Sequence, residues 1–326
     1  MKNFTQYELD SLANQVCLMC VVCFSLAGCS KYEQQAETMD VAYHLHGLWA
    51  RNAAQVWVVG DAGNILHSTD GGEHWQQQKS GTEAQLISIH GSDSQLWIVG
   101  AAGTILHSTD DGEHWQPQKN GTKLQLSSVY ASGSQLWIVG DNGTILQSAD
   151  GGQNWQPKTS GTEFNLSLVY ASGSQLWTVG DNGTVLHSAD GGQNWQPQTI
   201  EVLVSLSSVY GNGLQVWAVG DSGSILHSVD GGERWQLQTS GTTQTLTAIC
   251  VDGAQLWTVG TDGTILYSAD GGLNWQPQTR SRSPHLLAVF RVDSQLWTVG
   301  YGGLILHSAD GGRTWQQQRA ESLPSG

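Results

Sequence analysis

Short apolar runs alternate with polar, glycine-containing segments along the chain, and the alternation returns every 40 residues from Trp57 to Trp315. In one copy the apolar runs lie at 126–130, 135–140, 144–148 and 155–157. They are short and rich in branched and aromatic residues, which is typical of strands. No stretch keeps apolar residues at the i, i+3, i+4 and i+7 spacing of a helix. The pattern therefore predicts an all-β fold with four short antiparallel strands in each repeat.

The repeat occurs seven times, without insertion or deletion between Trp57 and Trp315. The second and third runs are separated by turn residues such as Asp141-Asn142-Gly143, and an Asn-Gly pair there is a strong signal for a tight hairpin. Four strands in 40-residue repeats correspond to propeller blades, and apolar residues on both strand faces let each blade pack between two neighbours. We therefore expect a seven-bladed β-propeller; an open β-solenoid or two smaller bodies are the alternatives.

The predicted propeller spans residues 43–320, and residues 321–326 form a C-terminal tail. The first copy begins with an inner strand at 46–49, and the last copy ends with an outer strand after Trp315. All seven blades can therefore be complete without a strand exchanged between the two ends of the chain.

Each repeat carries a Ser-x-Asp-x-Gly-x-x-Trp motif, the Asp-box, between its third and fourth runs. Its carboxylate can accept hydrogen bonds from backbone N–H groups two or three residues on, while the Ser hydroxyl caps the turn and the Gly permits a positive φ. Because the motif recurs peripherally in every blade, we interpret it as structural rather than catalytic or calcium-binding. Its residues are Asp70, Asp110, Asp150, Asp190, Asp230, Asp270 and Asp310, with Trp75, Trp115, Trp155, Trp195, Trp235, Trp275 and Trp315.

Other recurring polar residues also have structural interpretations. Gln begins the second run of every copy, and we expect it to satisfy turn groups. The third run is expected away from the axis, so histidines of neighbouring blades should be too far from one another to share a metal ion. We expect no metal, no cofactor and no catalytic residue. These histidines are His67, His107, His187, His227 and His307, and Gln147 and Tyr267 take the position in the other two copies.

Charge and cysteine content narrow the classes of partner. The net charge of −15 excludes a nucleic-acid-binding role, which needs a basic surface. A basic protein segment or a cation is the favoured complement. Cys250 is the single cysteine after residue 29, at a position that is Tyr in three other copies, so it indicates a packing site rather than a disulfide.

The N-terminal segment has the features of a lipoprotein leader. An apolar run at 16–27 is too short to span a bilayer and ends in Leu26-Ala27-Gly28-Cys29, which resembles the bacterial lipobox. We expect residues 1–28 to be a signal peptide, Cys29 to be lipidated and residues 29–42 to be a polar tether. Ser30 after the cysteine favours the periplasmic face of the outer membrane. The lipid would then be the protein's contact with the membrane, and we expect a monomer.

The segment 139–155 reads Val-Gly-x-x-Gly-x-Ile-Leu-x-Ser-x-Asp-Gly-Gly-x-x-Trp and resembles the photosystem II stability and assembly factor family of Asp-box propellers. The resemblance covers the seven repeats. It implies a seven-bladed, non-enzymatic scaffold that holds a membrane-protein subunit during complex assembly. The family is thought to dock its client through an arginine-rich patch, whereas this chain has few Arg. The scaffold is therefore expected here, and the photosystem client is not.

Two alternative functions use the same repeats. Near-identical blades suit a lectin-like module with several equivalent glycan pockets. Asp-boxes also occur in sialidases and related glycosidases, but the arginines here do not follow a pattern that would converge on the axis, and no carboxylate pair stands apart from the repeat. A lipid-anchored scaffold that binds a protein partner and assists assembly or stabilisation of an envelope complex is the preferred hypothesis.

Departures from the repeat mark the predicted docking surface. Three of the six links between blades read Ser-Gly-Thr and a fourth reads Asn-Gly-Thr, but the links at 200–203 and 280–285 depart from this pattern. Since repeated positions are explained by folding, a unique partner is most readily recognised at such departures. We predict that these links, on the face they share with the turns between second and third strands, bind the partner. The residues concerned are Ile200, Glu201, Val202, Arg280, Arg282 and His285.

Overall fold

The structure, a computed structural model, describes residues 43–92, 94–211, 213–278 and 283–318. These residues contain seven four-stranded antiparallel sheets, each built from four strands consecutive in sequence. The predicted signal peptide and tether, Cys29, Arg280, Arg282 and the C-terminal tail lie outside them. No helix in the described ranges has the length and apolar character needed to span a bilayer.

The strands are numbered in chain order, and corresponding strands of the seven blades fall into four sets. The inner strands are β1 (Leu45–Ala50), β5 (Leu86–Ser92), β9 (Leu126–Ser132), β13 (Leu166–Ser172), β17 (Leu206–Gly211), β21 (Leu246–Asp252) and β25 (Leu286–Val292). The second strands are β2 (Val56–Gly60), β6 (Gln95–Gly100), β10 (Gln135–Gly140), β14 (Gln175–Gly180), β18 (Val216–Gly220), β22 (Gln255–Gly260) and β26 (Gln295–Gly300).

The third strands are β3 (Ile65–Ser68), β7 (Ile105–Ser108), β11 (Ile145–Ser148), β15 (Val185–Ser188), β19 (Ile225–Ser228), β23 (Ile265–Ser268) and β27 (Ile305–Ser308). The outer strands are β4 (Gln76–Gln78), β8 (Gln116–Pro117), β12 (Gln156–Lys158), β16 (Gln196–Pro197), β20 (Gln236–Gln238), β24 (Gln276–Pro277) and β28 (Gln316–Gln318). Single 3₁₀ turns follow six second strands, at Asp61–Gly63, Ala101–Gly103, Asp181–Gly183, Asp221–Gly223, Thr261–Gly263 and Tyr301–Gly303.

The ring is closed. Each inner strand contacts the inner strands of both neighbouring blades, and β1 contacts β25 in the same way. The first sheet consists of β1 to β4 and the last of β25 to β28, so no strand is exchanged between the chain ends in these two sheets. The expected seven-bladed, all-β propeller with four antiparallel strands per blade is confirmed.

The core lies between the blades, where the apolar faces of adjacent sheets meet. One cluster joins Trp57 and Val59 of the first blade to Leu96 and Ile98 of the second. Equivalent clusters follow around the ring, and one joins Trp297 of the seventh blade to Leu48 of the first. Trp57 and Trp297 are fully buried, because the second strand of each blade is covered on both sides. This packing explains why the second strands read as continuous apolar runs.

The turns between second and third strands have the predicted tight geometry. Asn142 and Gly143 both have positive φ, of 53° and 64°, as a hairpin with two left-handed central residues requires. Thr144 N–H closes this turn on the carbonyl of Asp141 at 3.0 Å. Ala62 takes the Asn position in the first blade with φ 52°, so the packing of the blade imposes the turn even on a residue that disfavours it.

Candidate functional site

Each Asp-box forms one closed network, which the fourth blade illustrates. Ser188 Oγ donates to Asp190 Oδ1 at 2.8 Å and accepts from Gly192 N–H at 2.9 Å. The same Oδ1 accepts the backbone N–H groups of Gln193 and Asn194, each at 3.0 Å. Asn194 Nδ2 donates to the other oxygen, Oδ2, at 2.7 Å. The carboxylate closes its own turn, and its backbone donors lie three and four residues on rather than the two or three expected from the sequence.

This network keeps the carboxylates ionised. Hydrogen bonds from the side chain and backbone of Asn194 lower the pKa of Asp190 to about 2 from its ordinary 3.8. Asp70, Asp110, Asp150, Asp270 and Asp310 have pKa values lowered to about 2 for the same kind of reason. A carboxylate that is held ionised by its own turn is a poor general acid or base at neutral pH.

The residue four positions after each Asp explains the histidines of the first two Asp-boxes. His74 Nδ1 hydrogen-bonds Asp70 Oδ2 at 2.7 Å, and His114 does the same to Asp110. Asn154, Asn194 and Asn274 make the equivalent bond at 2.7 Å in other blades. Glu73 and Glu113 bring a third possible metal ligand near each pair. Because Asn replaces His without change in the bond, we assign these exposed histidines to the turn.

The histidines of the third strands have partners that the sequence analysis did not identify. Each pairs directly across the sheet with the Trp of the second strand, as Trp97 does with His107, and their rings stack 3.5 Å apart at 5°. His107 Nε2 donates to Gln95 Oε1 at 3.2 Å, and His187 donates to Gln175 at 2.7 Å. Burial lowers the pKa of His107 to about 4, so this ring is neutral. The recurring Gln therefore serves the neighbouring His in these blades rather than a turn.

A channel runs along the ring axis and holds a cavity of about 460 Å³, lined by all seven inner strands. One level of this lining is mostly aromatic, and adjacent rings are in contact: His90 and Tyr130 have centroids 4.6 Å apart, and Tyr170 and Tyr210 4.5 Å. The residues at this level are His90, Tyr130, Tyr170, Tyr210, Cys250 and Phe290. Trp49 holds the corresponding register position in the first blade, where it packs in the core between blades one and two.

The aromatic level of the channel is uncharged. Burial lowers the pKa of His90 to about 4 and raises the pKa of the Cys250 thiol to about 12. Burial, with a hydrogen bond to Tyr210, also raises the pKa of the Tyr170 hydroxyl. Cys250 is 8% exposed, which agrees with its interpretation as a packing site, and a protonated, covered thiol is a weak nucleophile.

Two arginines are committed to carboxylates of a neighbouring blade. Arg51 Nη2 lies 2.6 Å from Asp111 Oδ1, and Arg291 Nη1 lies 2.7 Å from Asp252 Oδ2. Each guanidinium also lies over a core tryptophan, Trp57 for Arg51 and Trp257 for Arg291. Both arginines therefore link neighbouring blades. Neither is available to bind a substrate carboxylate, as the arginines of a sialidase must.

The turns between second and third strands share one surface with the links between blades, and we call this surface the link face. Gly143 N–H donates to the carbonyl of Phe164 at 2.9 Å, and Gly183 N–H donates to Val204 at 2.8 Å. The opposite surface, the Asp-box face, combines the Asp-box turns with the hairpins between first and second strands, as the bond from Gly191 N–H to Ser174 shows.

The predicted docking links differ in what they expose. Ile200 and Val202 are half-buried and pack against the core of the fifth blade, so neither side chain is fully exposed at the predicted docking surface. Glu201 and Leu203 are exposed, and Leu203 is 80% accessible. His285 Nδ1 accepts from Asp262 N–H at 3.0 Å. Ile200 fills space over Gly183, which explains the loss of the Ser-Gly-Thr pattern there.

The fold and these sites define a seven-bladed Asp-box β-propeller whose channel has an uncharged aromatic level. The profile of the family described as photosynthesis system II assembly factor YCF48 matches residues 28–129 and 120–203, more than half of the chain. The chain belongs to this family. Residues 200–326 also match a β-propeller domain described as DUF6242. No curated protein matches the sequence.

Solved structures share the fold at low sequence identity. YCF48 from Cyanidioschyzon merolae is 18% identical over 81% of this chain and 95% of that chain, with a TM-score of 0.69. A structure described as YCF48 bound to D1 peptide is 20% identical over 82% of this chain and 93% of that chain, also with a TM-score of 0.69. The GH74 xyloglucanase from Xanthomonas campestris is 14% identical, with a TM-score of 0.70 over 86% of this chain and 55% of that chain.

Proposed function

We propose that this protein is a non-enzymatic scaffold that binds a protein partner and assists assembly or stabilisation of a membrane complex in the cell envelope. The observation that carries the proposal is the membership of an assembly-factor family in which a related structure holds a peptide. The photosystem client is left out of the proposal. A client that docks on an arginine-rich patch does not suit a chain with a net charge of −15 and few arginines.

The chemistry of the described residues supports a binding role over catalysis. The Asp-box carboxylates are occupied by their own turns, as in the contacts of Asp190. At the aromatic level of the channel, the pKa of His90 is lowered to about 4 and the pKa of the Cys250 thiol is raised to about 12. Glycoside hydrolysis needs two carboxyl groups poised on either side of a bond, one of them a protonated acid. The fold shared with a xyloglucanase supplies the scaffold for such a site and not the groups.

The link face is the proposed docking surface, with its centre at the two departures from the repeat. Glu201 and Leu203 present a charged and an apolar side chain on this face. Ile200 and Val202 hold the backbone of that link in place by packing beneath it. Arg280 and Arg282, with His285, supply the second proposed contact at 280–285.

The anchor is proposed from the lipobox-like sequence that ends at Cys29. A single lipid-modified N-terminus followed by a polar tether would hold the propeller at the periplasmic face of the outer membrane as a monomer. Cys29→Ala should move the protein out of the membrane fraction or leave it unprocessed. An unchanged mass and an unchanged membrane fraction would contradict the anchor and leave the propeller assignment intact.

The experiment that tests the function is capture of partners from solubilised envelopes with the lipidated protein, followed by identification of the captured protein. In a variant with the Ser-Gly-Thr sequence at 200–202, the recovered amount should fall while the near-ultraviolet circular dichroism stays native. Glycan arrays probed in parallel address the lectin alternative. Saturable glycan binding combined with no enriched protein would contradict the scaffold proposal.

A further inference from the structure

Three successive blades place the same two kinds of side chain together on the link face. The turns of blades three, four and five begin with Asp141, Asp181 and Asp221. The links leading into the same blades expose large apolar side chains, and we call these six residues the sector. Its apolar members are Leu124, Phe164 and Leu203, which are 37%, 47% and 80% exposed.

Backbone hydrogen bonds join an acidic turn of the sector to the link that carries the next apolar side chain. The turn that begins at Asp141 is bonded through Gly143 N–H to the carbonyl of Phe164. The turn that begins at Asp181 is bonded through Gly183 N–H to Val204, the neighbour of Leu203. Acidic and apolar groups therefore alternate around this part of the ring.

The carboxylates of the sector have few internal partners. Asp181 Oδ2 accepts from Asn165 Nδ2 at 3.1 Å, and Asp221 Oδ1 accepts from Thr245 Oγ1 at 3.1 Å. The turn does not need them, since blade two makes the same turn from Ala101 and blade six from Thr261. Glu163 and Glu201 are exposed in the intervening links and add to the negative charge, which Lys123 offsets in part.

The Asp-box face offers a contrast. It also exposes large apolar side chains, Leu214, Val229 and Leu273. However, each Asp-box carboxylate is engaged by several donors of its own turn, as described for Asp190. A cationic group approaching an Asp-box carboxylate would compete with those donors, whereas the sector leaves carboxylate oxygens to an incoming donor. The Asp-box face also carries the exposed Glu73, Glu113 and Glu233, and the control variant below tests their contribution.

We propose that the sector docks an extended, basic segment of a partner protein whose apolar side chains alternate with Lys or Arg. This inference rests on the proposed function and adds the chemistry of the partner. The apolar side chains of the segment pack on Phe164 and its neighbours, while its cations pair with Asp141, Asp181 and Asp221. Steering by opposite charge makes the association dependent on salt.

The first test uses a short fluorescein-labelled peptide of alternating Lys and Leu, with polarisation read at low and physiological salt. The sector variant Asp141→Ala, Asp181→Ala and Asp221→Ala should weaken binding by about tenfold at low salt, as expected for three partly exposed ion pairs. The control variant Glu73→Gln, Glu113→Gln and Glu233→Gln removes equal charge from the Asp-box face, using a residue found there in other blades. It should bind nearly as the parent does. Equal weakening by both variants would overturn the proposal.

The second test addresses the three apolar side chains of the sector. Leu124→Gln, Phe164→Gln and Leu203→Thr follow the residues at these positions in blade six, Gln244 and Thr243. This variant should weaken the Lys-Leu peptide and leave a Lys-Ser peptide unchanged, while polar replacements of Leu214, Val229 and Leu273 should affect neither. Peptide binding that ignores all apolar replacements would contradict the proposal.

The scaffold function and the partner chemistry of the sector can fail separately. If the envelope partner is captured but the Lys-Leu peptide binds both faces alike, the partner chemistry proposed for the sector is wrong and the scaffold function stands. If the peptide discriminates as expected but no protein is enriched from envelopes and glycans bind, the scaffold function is wrong.

Discussion

The His44 ring stacks on the Tyr301 ring, with centroids 4.1 Å apart and planes at 17°, and this contact joins the first blade to the last. Gly302 N–H also donates to His44 Nδ1 at 3.3 Å. Between the same two blades, Trp75 meets Trp297 edge to face, with ring centroids 6.1 Å apart. Since each terminal blade keeps its own four strands, these side-chain contacts and the packing of β1 on β25 hold the ring closed.

Loss of the stacked pair should weaken ring closure measurably. Tyr301→Ser should lower the free energy of unfolding by about 1 kcal/mol, the usual contribution of an aromatic pair. Tyr301→Phe keeps the ring and should unfold with the parent, which makes it the matched control. Urea denaturation followed by tryptophan fluorescence measures both. Identical midpoints for the Ser variant and the parent would show that the seam is held elsewhere.

The Asp-box should contribute stability and not activity. Asp190→Ala removes the acceptor of Ser188, Gln193 and Asn194, so the melting temperature should fall. Asp190→Asn keeps one oxygen acceptor and should lose less. Calorimetry on the three proteins tests this order, and partner capture measured beside it should remain at the parent level. Loss of capture with an unchanged melting temperature would instead place function at this turn.

Acid should destabilise the propeller in a defined range. The lowered pKa of Asp190, about 2 against 3.8 ordinarily, means that the folded state stays ionised at a pH where the unfolded chain binds protons. Its stabilising contribution is therefore complete above pH 3.8 and is lost as the pH falls towards 2. Unfolding midpoints measured from pH 5 to pH 2 should drop, with a shallower slope for Asp190→Asn by about one proton. Parallel slopes would contradict the assignment.

Adjacent glycines of one Asp-box should respond differently to a methyl group. Gly192 has φ of 85°, and a Cβ there would lie 2.4 Å from Trp137 Nε1. Gly191 also has a positive φ, but a Cβ there meets nothing within 4 Å, and blade two carries Asp111 at this position. Gly191→Ala should cost about 1 kcal/mol from backbone strain alone, and Gly192→Ala should cost more because the indole must shift. Chemical denaturation that ranks the two in reverse would refute this packing.

The sequence predicts the blade architecture because the same pattern of strands and turns occurs in all seven repeats. The tight turn at Asn142 follows from the backbone preference of an Asn-Gly pair. The sequence does not reveal that blade one has an extra residue before β2, since Trp49 pairs with Trp57 where His90 pairs with Trp97. That offset puts Trp49 in the register position that His90 holds in the second blade. The offset lies before Trp57, the first Trp of the 40-residue repeat, where the repeat does not define the register.

Contacts between recurring side chains could also not be predicted from the sequence. The stacking of His107 on Trp97 depends on cross-strand register, which a strand pattern does not fix. The packing of Ile200 against the fifth blade depends on a neighbouring turn at Gly183, which is distant from the link pattern that drew attention to it. The departure from the repeat at this link therefore indicated a local structural change. Which of its side chains are exposed could be read only from the structure.

Site-specific photo-crosslinking in native envelopes tests the central claim most directly. A photoreactive residue at Leu203 reports on the link face, and the same residue at Leu273 reports on the Asp-box face, since both side chains are well exposed. The account predicts a discrete protein adduct from position 203, attached at a Lys- or Arg-rich segment of an identified partner, with no such adduct from position 273. The same adduct from both positions, or from position 273 alone, would contradict it.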